Sequence, residues 1–427
     1  MPVERRTPIQ VAEAISRVMK LAPTGKVESV DIVDSYGRYL ALPLKATHDV
    51  PPFPKSPYDG FAIRAQDSIE ASQKKEVEFE IVDEIGAGYV SSKQVGEFQA
   101  VRIMTGAQMP AHTNAVVMLE LTKEYEKNER KYMGIKRAFR EGDNVSFQGE
   151  DAKKGTGLVE KGTSINPGVQ ALLATFGYKE VQVAKKPVIG VYATGTELLD
   201  VDEPLVPGKI RNSNAYMIQG QIKRSGATAK YFGKLKDDFD TCFEAVKTAL
   251  SQVDMLITTG GVSVGDYDYL PAIYEKLGAN VLFNKVAMRP GSVTTVAEWN
   301  GKLLFGLSGN PSACFVGYEL FVRPVVRTML FSEKPHLQTL EAELGGDFPK
   351  PNPFSRFVRG TLFLEKGKVV VRPSGLDKSN VVTSLAGANV LIVLPGGTRG
   401  FQKGMAVQAL ILEDETGSKW PFGEDAQ

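Results

Sequence analysis

Cysteine and histidine are both scarce in this chain, and each shortage excludes a chemistry. Its 427 residues hold two cysteines, Cys242 and Cys314, too few for a disulfide framework and without partners at zinc-ligand spacing. Three scattered histidines, His48, His112 and His336, form no HExxH arrangement, so a zinc hydrolase or a histidine-centred triad lacks its parts. Excess charge of one sign is missing too. Lys and Arg number 51 against 50 Asp and Glu, a net charge of +1, so no bulk field draws nucleic acid or anionic lipid. Nor does any run approach the ~20 apolar residues that span a bilayer, and the opening MPVERRTPIQ has no apolar signal core. The expectation is a soluble cytoplasmic enzyme, with no nucleic acid and no membrane among its partners. Its chemistry must come from carboxylates, cations and backbone.

A hydrophobic share of 42% with 24% charged residues matches an ordinary globular protein, and the length implies roughly two to four domains. Thr7 and Pro8 precede a face of Val11, Ile15 and Val18, predicting a helix capped at Thr7. Residues 45–145 carry short β-rich runs such as VEFEIVDEI and NAVVMLE between Gly/Pro loops, plus the mixed-charge stretch KEYEKNERK. These suggest a small β-domain inserted into a helical module.

Over 187–330 the runs PVIGVYATG, TAKYFGKL, VDMLITTGG and KLLFGLSG alternate with helical patterns. One helix is capped by Ser213 or Asn214 and another by Asp237 or Asp238. That alternation implies right-handed βαβ units and a mostly parallel, doubly wound sheet, with ligands outside the C-terminal strand ends. From about 335, RFVRGTLFLE, KVVVRPS, NVLIVLPGG and MAVQALIL read as a small β-barrel or sandwich. The class is therefore multidomain α/β. The boundaries drawn are 1–45 with 145–182, then 46–144, 183–332 and 333–427.

The strongest local signal is TTGGVSVGDYDYL, where a strand runs into Gly260 and Gly261, and Ser263, Asp266 and Asp268 follow before a helix. Glycines there let a ligand approach the backbone, although a turn with capping aspartates has the same look. VYATGTELL ends another strand on Gly195, Thr196 and Glu197, and KLKDDFD puts Asp237 and Asp238 after a third, Asp238 mainly as a helix cap. Acids converging on one rim repel unless a cation neutralises them, and hard oxygens suit Mg²⁺. Lys285 and Arg289 in FNKVAMRPGSVTT add cations beside a Pro-Gly turn, and GLSGNPSA opens a further helix.

These segments together resemble the MoeA / gephyrin E-domain family. GGVSVGDYDY, TGTEL, the Pro-Gly turn after a lysine and GNPSA are similar to its motifs, as are PPFPKSPYDGFAIR, RIMTGAQMP and NVSFQGEDAKKG. The likeness spans essentially the whole chain. It implies a helical module, a small β-domain, a doubly wound domain of molybdopterin-binding type and a C-terminal β-barrel, in an elongated homodimer whose cleft joins two subunits. It also implies transfer of molybdenum from molybdate to adenylylated molybdopterin with release of AMP. Carried over residue by residue, the family's functional positions fall on Asp59, Thr105, Asp151, Glu197, Asp237, Asp268, Lys285 and Pro311.

On this reading Glu197, Asp237 and Asp268 hold Mg²⁺ and position water, while Lys285 and Arg289 meet molybdate or phosphate oxygens. Gly260, Gly261 and Ser263 offer backbone to the pterin phosphate. Three departures stand out: Arg289 replaces a usual Lys, Ser292 the second Lys of the Pro-Gly turn, and Ser308 a Pro before Gly-Asn-Pro. Two rival activities share the family's folds. One is the preceding adenylylation step, whose enzymes usually carry Gly-Gly-Thr-Gly where this chain has Gly-Gly-Val-Ser-Val-Gly. The other is a gephyrin-like scaffold binding peptides or other cofactor-biosynthesis proteins.

Overall fold

The computed structural model describes residues 7–235, 238–261, 269–413 and 419. The chain divides into two compact units, one of Met1–Leu42, Lys161–Gln170 and Lys179–Gln427, the other of Pro43–Glu160 and Ala171–Tyr178.

The second unit is built on a six-stranded sheet in the order Ala115–Met118, Gly60–Ile63, Gln99–Ile103, Val77–Ile85, Arg130–Ile135, Thr122–Lys127. The run VEFEIVDEI is one of these strands, with Val77 and Phe79 turned into the core. KEYEKNERK proves to be a hairpin. Asn128 and Glu129 sit at its tip with φ of 54° and 62°, the left-handed pair that a two-residue hairpin requires. Gly60 follows Asp59 for a steric reason, because a Cβ there would lie 2.0 Å from the Val117 carbonyl oxygen of the neighbouring strand.

In the first unit, four strands run parallel: Thr228–Lys234, Val188–Ala193, Met255–Thr259 and Lys302–Leu307. Thr295–Trp299 and Asn280–Phe283 extend the sheet antiparallel. Strand side chains alternate between two cores. Ile189, Val191, Ile257 and Phe305 join the helices Ser213–Arg224 and Pro311–Gly317 on one face. Tyr192, Leu256 and Leu304 meet Phe239–Leu250 and Leu270–Leu277 on the other. Burial on both faces is what makes these strands read as continuous apolar runs. The sheet is doubly wound and mostly parallel, as its pattern implies.

The C-terminal strands close a ring: Ser355–Glu365 pairs with Lys368–Pro373, then Thr339–Leu344, Ala406–Ile411 and Val390–Leu394 follow, and the last returns to Ser355–Glu365. It is a five-stranded barrel filled by Leu344, Val358, Val371 and Ile392.

Two helix starts differ from expectation. The first helix spans Val11–Met19, with Gln10 rather than Thr7 at the cap position and no side-chain cap. Ile9 explains the delay, since it bridges Val286 in extended conformation, donating to Lys285 O at 3.1 Å and accepting from Ala287 N at 2.7 Å. The next expected cap, at Ser213 or Asn214, falls instead on Asn212, whose side chain accepts from Ala215 N. Asp238 does cap its helix, accepting from Thr241 N.

The parallel strands end level, with Ala193 opposite Thr259 and Thr259 opposite Leu307. Their exits are crowded. A Cβ on Gly260 would lie 2.7 Å from the Thr194 carbonyl oxygen, and one on Gly261 would lie 2.8 Å from Thr194 Oγ1. Both glycines have positive φ, 89° and 66°. At position 261 the two penalties are separable. Gly261→Ala should destabilise through the left-handed backbone, ~1–2 kcal/mol, and through the hydroxyl. Adding Thr194→Ala should recover the second part only, as denaturant midpoints of the single and double variants will show.

Candidate functional site

Outside these level strand ends lies a cleft of about 1010 Å³. Its floor is Thr194, Gly195, Thr259, Gly260 and Gly261, and Glu197 stands on one side. The strand-end loops are tied together by backbone: Thr194 N donates to Thr259 O at 3.0 Å and Gly260 N to Leu307 O at 2.9 Å. Glu197 is exposed. Its carboxylate folds back over Gly195, whose φ of 135° is a backbone conformation that favours glycine.

The loop after Glu197 is fastened at its base. Leu198–Leu199 pairs with Ile210–Arg211, Lys209 Nζ donates to Thr196 O at 2.6 Å, and Lys234 reaches Asp200 and Glu203 at 3.4 and 3.5 Å. The segment Arg211 to Asn214 then lines the cleft as it enters the helix Ser213–Arg224. Asn214 Nδ2 donates to Gly309 O at 2.8 Å, joining that helix to the Gly-Asn-Pro turn. In this turn Ser308 Oγ accepts from Asn310 N at 3.2 Å, so the serine that departs from the family's Pro stabilises the turn by a hydroxyl. Pro311 follows as the first residue of its helix and lines the cleft.

The barrel supplies the remaining wall through Asn380 and Val382. Ser312 holds that segment, its N–H donating to Ser379 O at 3.0 Å and its hydroxyl to Val381 O at 2.6 Å. Behind it, buried Asp377 accepts from Arg356 Nη1 at 2.6 Å and Arg359 Nη1 at 2.9 Å. One carboxylate shared by two guanidiniums keeps this turn in a single geometry.

The sequence-derived residues distribute as follows. Glu197, Gly260, Gly261 and Pro311 line the cleft. Lys285, Arg289 and Ser292 are not among its lining residues. Lys285 O receives the Ile9 N–H, Ser292 O receives that of Val286 at 2.8 Å, and Arg289 is exposed on a short strand beside Ser355 and Arg356. Asp237, Ser263 and Asp268 lie outside the described residues. Among the described residues Arg211 is the only Lys or Arg that lines the cleft.

Asp59, Thr105 and Asp151 belong to the second unit. Asp59 and Thr105 are both exposed and paired: Asp59 Oδ1 accepts from Thr105 N at 2.7 Å and from Thr105 Oγ1 at 2.8 Å. These two donors hold the Asp59 carboxyl below the usual carboxylate range, and the Arg102 charge adds to the effect. Asp151 is exposed, its N–H donating to Val50 O at 3.0 Å.

Residues 9–177 match the family model of the MoeA N-terminal region (domain I and II), 190–328 that of a probable molybdopterin binding domain, and 341–412 that of the MoeA C-terminal region (domain IV). A protein of Bacillus subtilis strain 168 named Molybdopterin molybdenumtransferase is 60% identical over 420 residues, covering 98% of each chain. One of the same name from Staphylococcus epidermidis is 50% identical, covering 97% of this chain and 98% of that one. Among solved structures, a molybdopterin biosynthesis moeA protein from Pyrococcus horikoshii OT3 is 27% identical with a TM-score of 0.80, covering 95% of this chain and all of the other. With its regions matched in order and relatives aligned along nearly its whole length, the chain belongs to the MoeA family.

Proposed function

We propose that this chain is a molybdopterin molybdenumtransferase that moves molybdenum from molybdate into adenylylated molybdopterin, releasing AMP. The observation that carries this reading is the cleft at the strand ends of the doubly wound sheet. Its volume of about 1010 Å³ is at the upper end for small-molecule sites, as a pterin joined to a nucleotide needs. The full-length relatives that bear this name support it.

The work required is positioning and charge neutralisation. Gly260 and Gly261, free of side chains, let phosphate oxygens come close to the backbone, although the Gly260 N–H is itself bonded to Leu307 O. Pro311 shapes the turn that borders the cleft; the oxyanion roles of Lys285, Arg289 and Ser292, which do not line it, and the substrate contact of Asp151 rest on the family resemblance alone. Asp59, kept ionised by Thr105 below the pH at which an ordinary carboxyl protonates, serves as a fixed negative acceptor rather than a proton donor.

Glu197 presents an exposed carboxylate to a cleft with room for waters, a hard oxygen of the kind Mg²⁺ takes; Asp237 and Asp268, the other two acids of this reading, lie outside the described residues. Bound there, Mg²⁺ supplies Lewis-acid neutralisation of phosphate and oxyanion charge. We further propose a cytoplasmic homodimer of four-domain subunits. No helix among the described residues is long and apolar enough to cross a membrane.

Incubation of the full chain with adenylylated molybdopterin, Mg²⁺ and molybdate should release AMP and yield cofactor that reconstitutes an apo-molybdoenzyme. AMP release no faster than in an enzyme-free control would sink the proposal, and a parallel tungstate arm measures oxyanion preference. Glu197→Gln should lower the rate by about 100-fold, in the range seen when one preorganised electrostatic partner is removed, with an unchanged melting midpoint because the side chain is exposed. Sedimentation equilibrium should give a mass twice the 46.5 kDa of the chain; the single-chain mass would refute the dimer.

A further inference from the structure

We infer that Lys209 and Lys234 are positioning residues for the transferase reaction: they clamp the main chain on either side of Glu197 and so fix where its carboxylate stands in the cleft. The inference rests on the transferase reading above.

Glu197 sits in an exposed turn, where an acid would ordinarily sample several positions. Its main chain is nevertheless tied at three successive carbonyls. Lys209 Nζ donates to Thr196 O at 2.6 Å, Ile210 N to Glu197 O at 2.9 Å and Lys234 Nζ to Leu198 O at 3.3 Å. The ties come from two different elements. Lys209 immediately precedes the returning strand Ile210–Arg211, and Lys234 is the last residue of the sheet strand Thr228–Lys234. Lys234 is itself held in place, by Asp200 at 3.4 Å and Glu203 at 3.5 Å.

Water can satisfy carbonyls at such a turn, so the lysines are not needed merely to pair them. What they add is position, at the entropic cost of ordering two long side chains. A carboxylate that must meet a reacting group acts only from the right place, and a displacement of about 1 Å can cost about 100-fold in rate. Neither Lys209 nor Lys234 is among the residues that line the cleft. Their effect on the reaction therefore passes through Glu197 rather than through contact with substrate.

The test is a double-mutant cycle in the full chain, following AMP release from adenylylated molybdopterin, with each variant first checked by thermal melting. Lys209→Met and Lys234→Met keep an apolar stem and remove the donor. Each should lower kcat about tenfold, part of what a full displacement costs, with KM changed by less than about twofold. Introduced into Glu197→Gln, the same substitutions should change kcat by less than about twofold, because residues that act as a unit are not additive. Lys209→Arg, which keeps a donor, should retain most of the rate. A lysine that only supported the fold would give the same fractional loss in both backgrounds. That result, or an unchanged kcat in both Met variants, or a Glu197→Gln variant as fast as wild type, overturns the inference and leaves the transferase reading standing. Should Lys234→Met melt early, Lys209→Met, at an exposed position, carries the cycle alone. Absence of AMP release by the wild-type chain overturns the transferase reading, and the inference with it.

Discussion

The contact between Thr194 and the Gly260–Gly261 pair is the constraint on which the site depends. Neighbouring parallel strands that end level deliver their exit loops into the same space, and backbone alone fits there. Because position 260 carries no Cβ, its chain can lie against the Thr194 carbonyl and leave its N–H bonded to Leu307 O. The Gly-Asn-Pro turn packs next, with Gly309 against Gly260: a Cβ on Gly309 would sit 3.5 Å from the Gly260 Cα. Asn214 fastens to that turn, and Ser312 carries the connection to the barrel. A side chain at the centre would push these loops apart in sequence.

Much of this architecture is legible in the sequence because it is local. Apolar runs of strand length ending in glycine mark Val188–Ala193, Met255–Thr259 and Lys302–Leu307, and each lies where the pattern puts it. The barrel strands follow the same logic. Helix starts are less readable, since they depend on what the preceding residue bonds to elsewhere. Asn212 is a cap because its N–H is taken by Leu199 O, and Ile9 is held extended by a partner 277 positions away in the bridge to Val286. No local pattern contains either fact.

The site divides along the same line. Glu197, Gly260, Gly261 and Pro311 follow from strand-end motifs, but Asn380 and Val382 reach the cleft from a barrel segment with no motif of its own. Charge was a poor guide to position. Lys285 and Arg289 stand out in a basic turn, whereas Arg211, which lines the cleft, sits beside a cap and looks like part of it. Asp59 and Thr105 each belong to a recognisable segment, yet that the threonine donates two hydrogen bonds to the aspartate is visible only once the sheet aligns residues 46 positions apart.

The seam between Ser312 and the barrel segment has a consequence for variation. Both of its acceptors, Ser379 O and Val381 O, are main-chain carbonyls, which every amino acid possesses. Asn380 and Val382 line the cleft, and the seam's hydrogen bonds use neither of their side chains. The cleft wall can therefore change at these two positions while the joint between barrel and sheet keeps its hydrogen bonds.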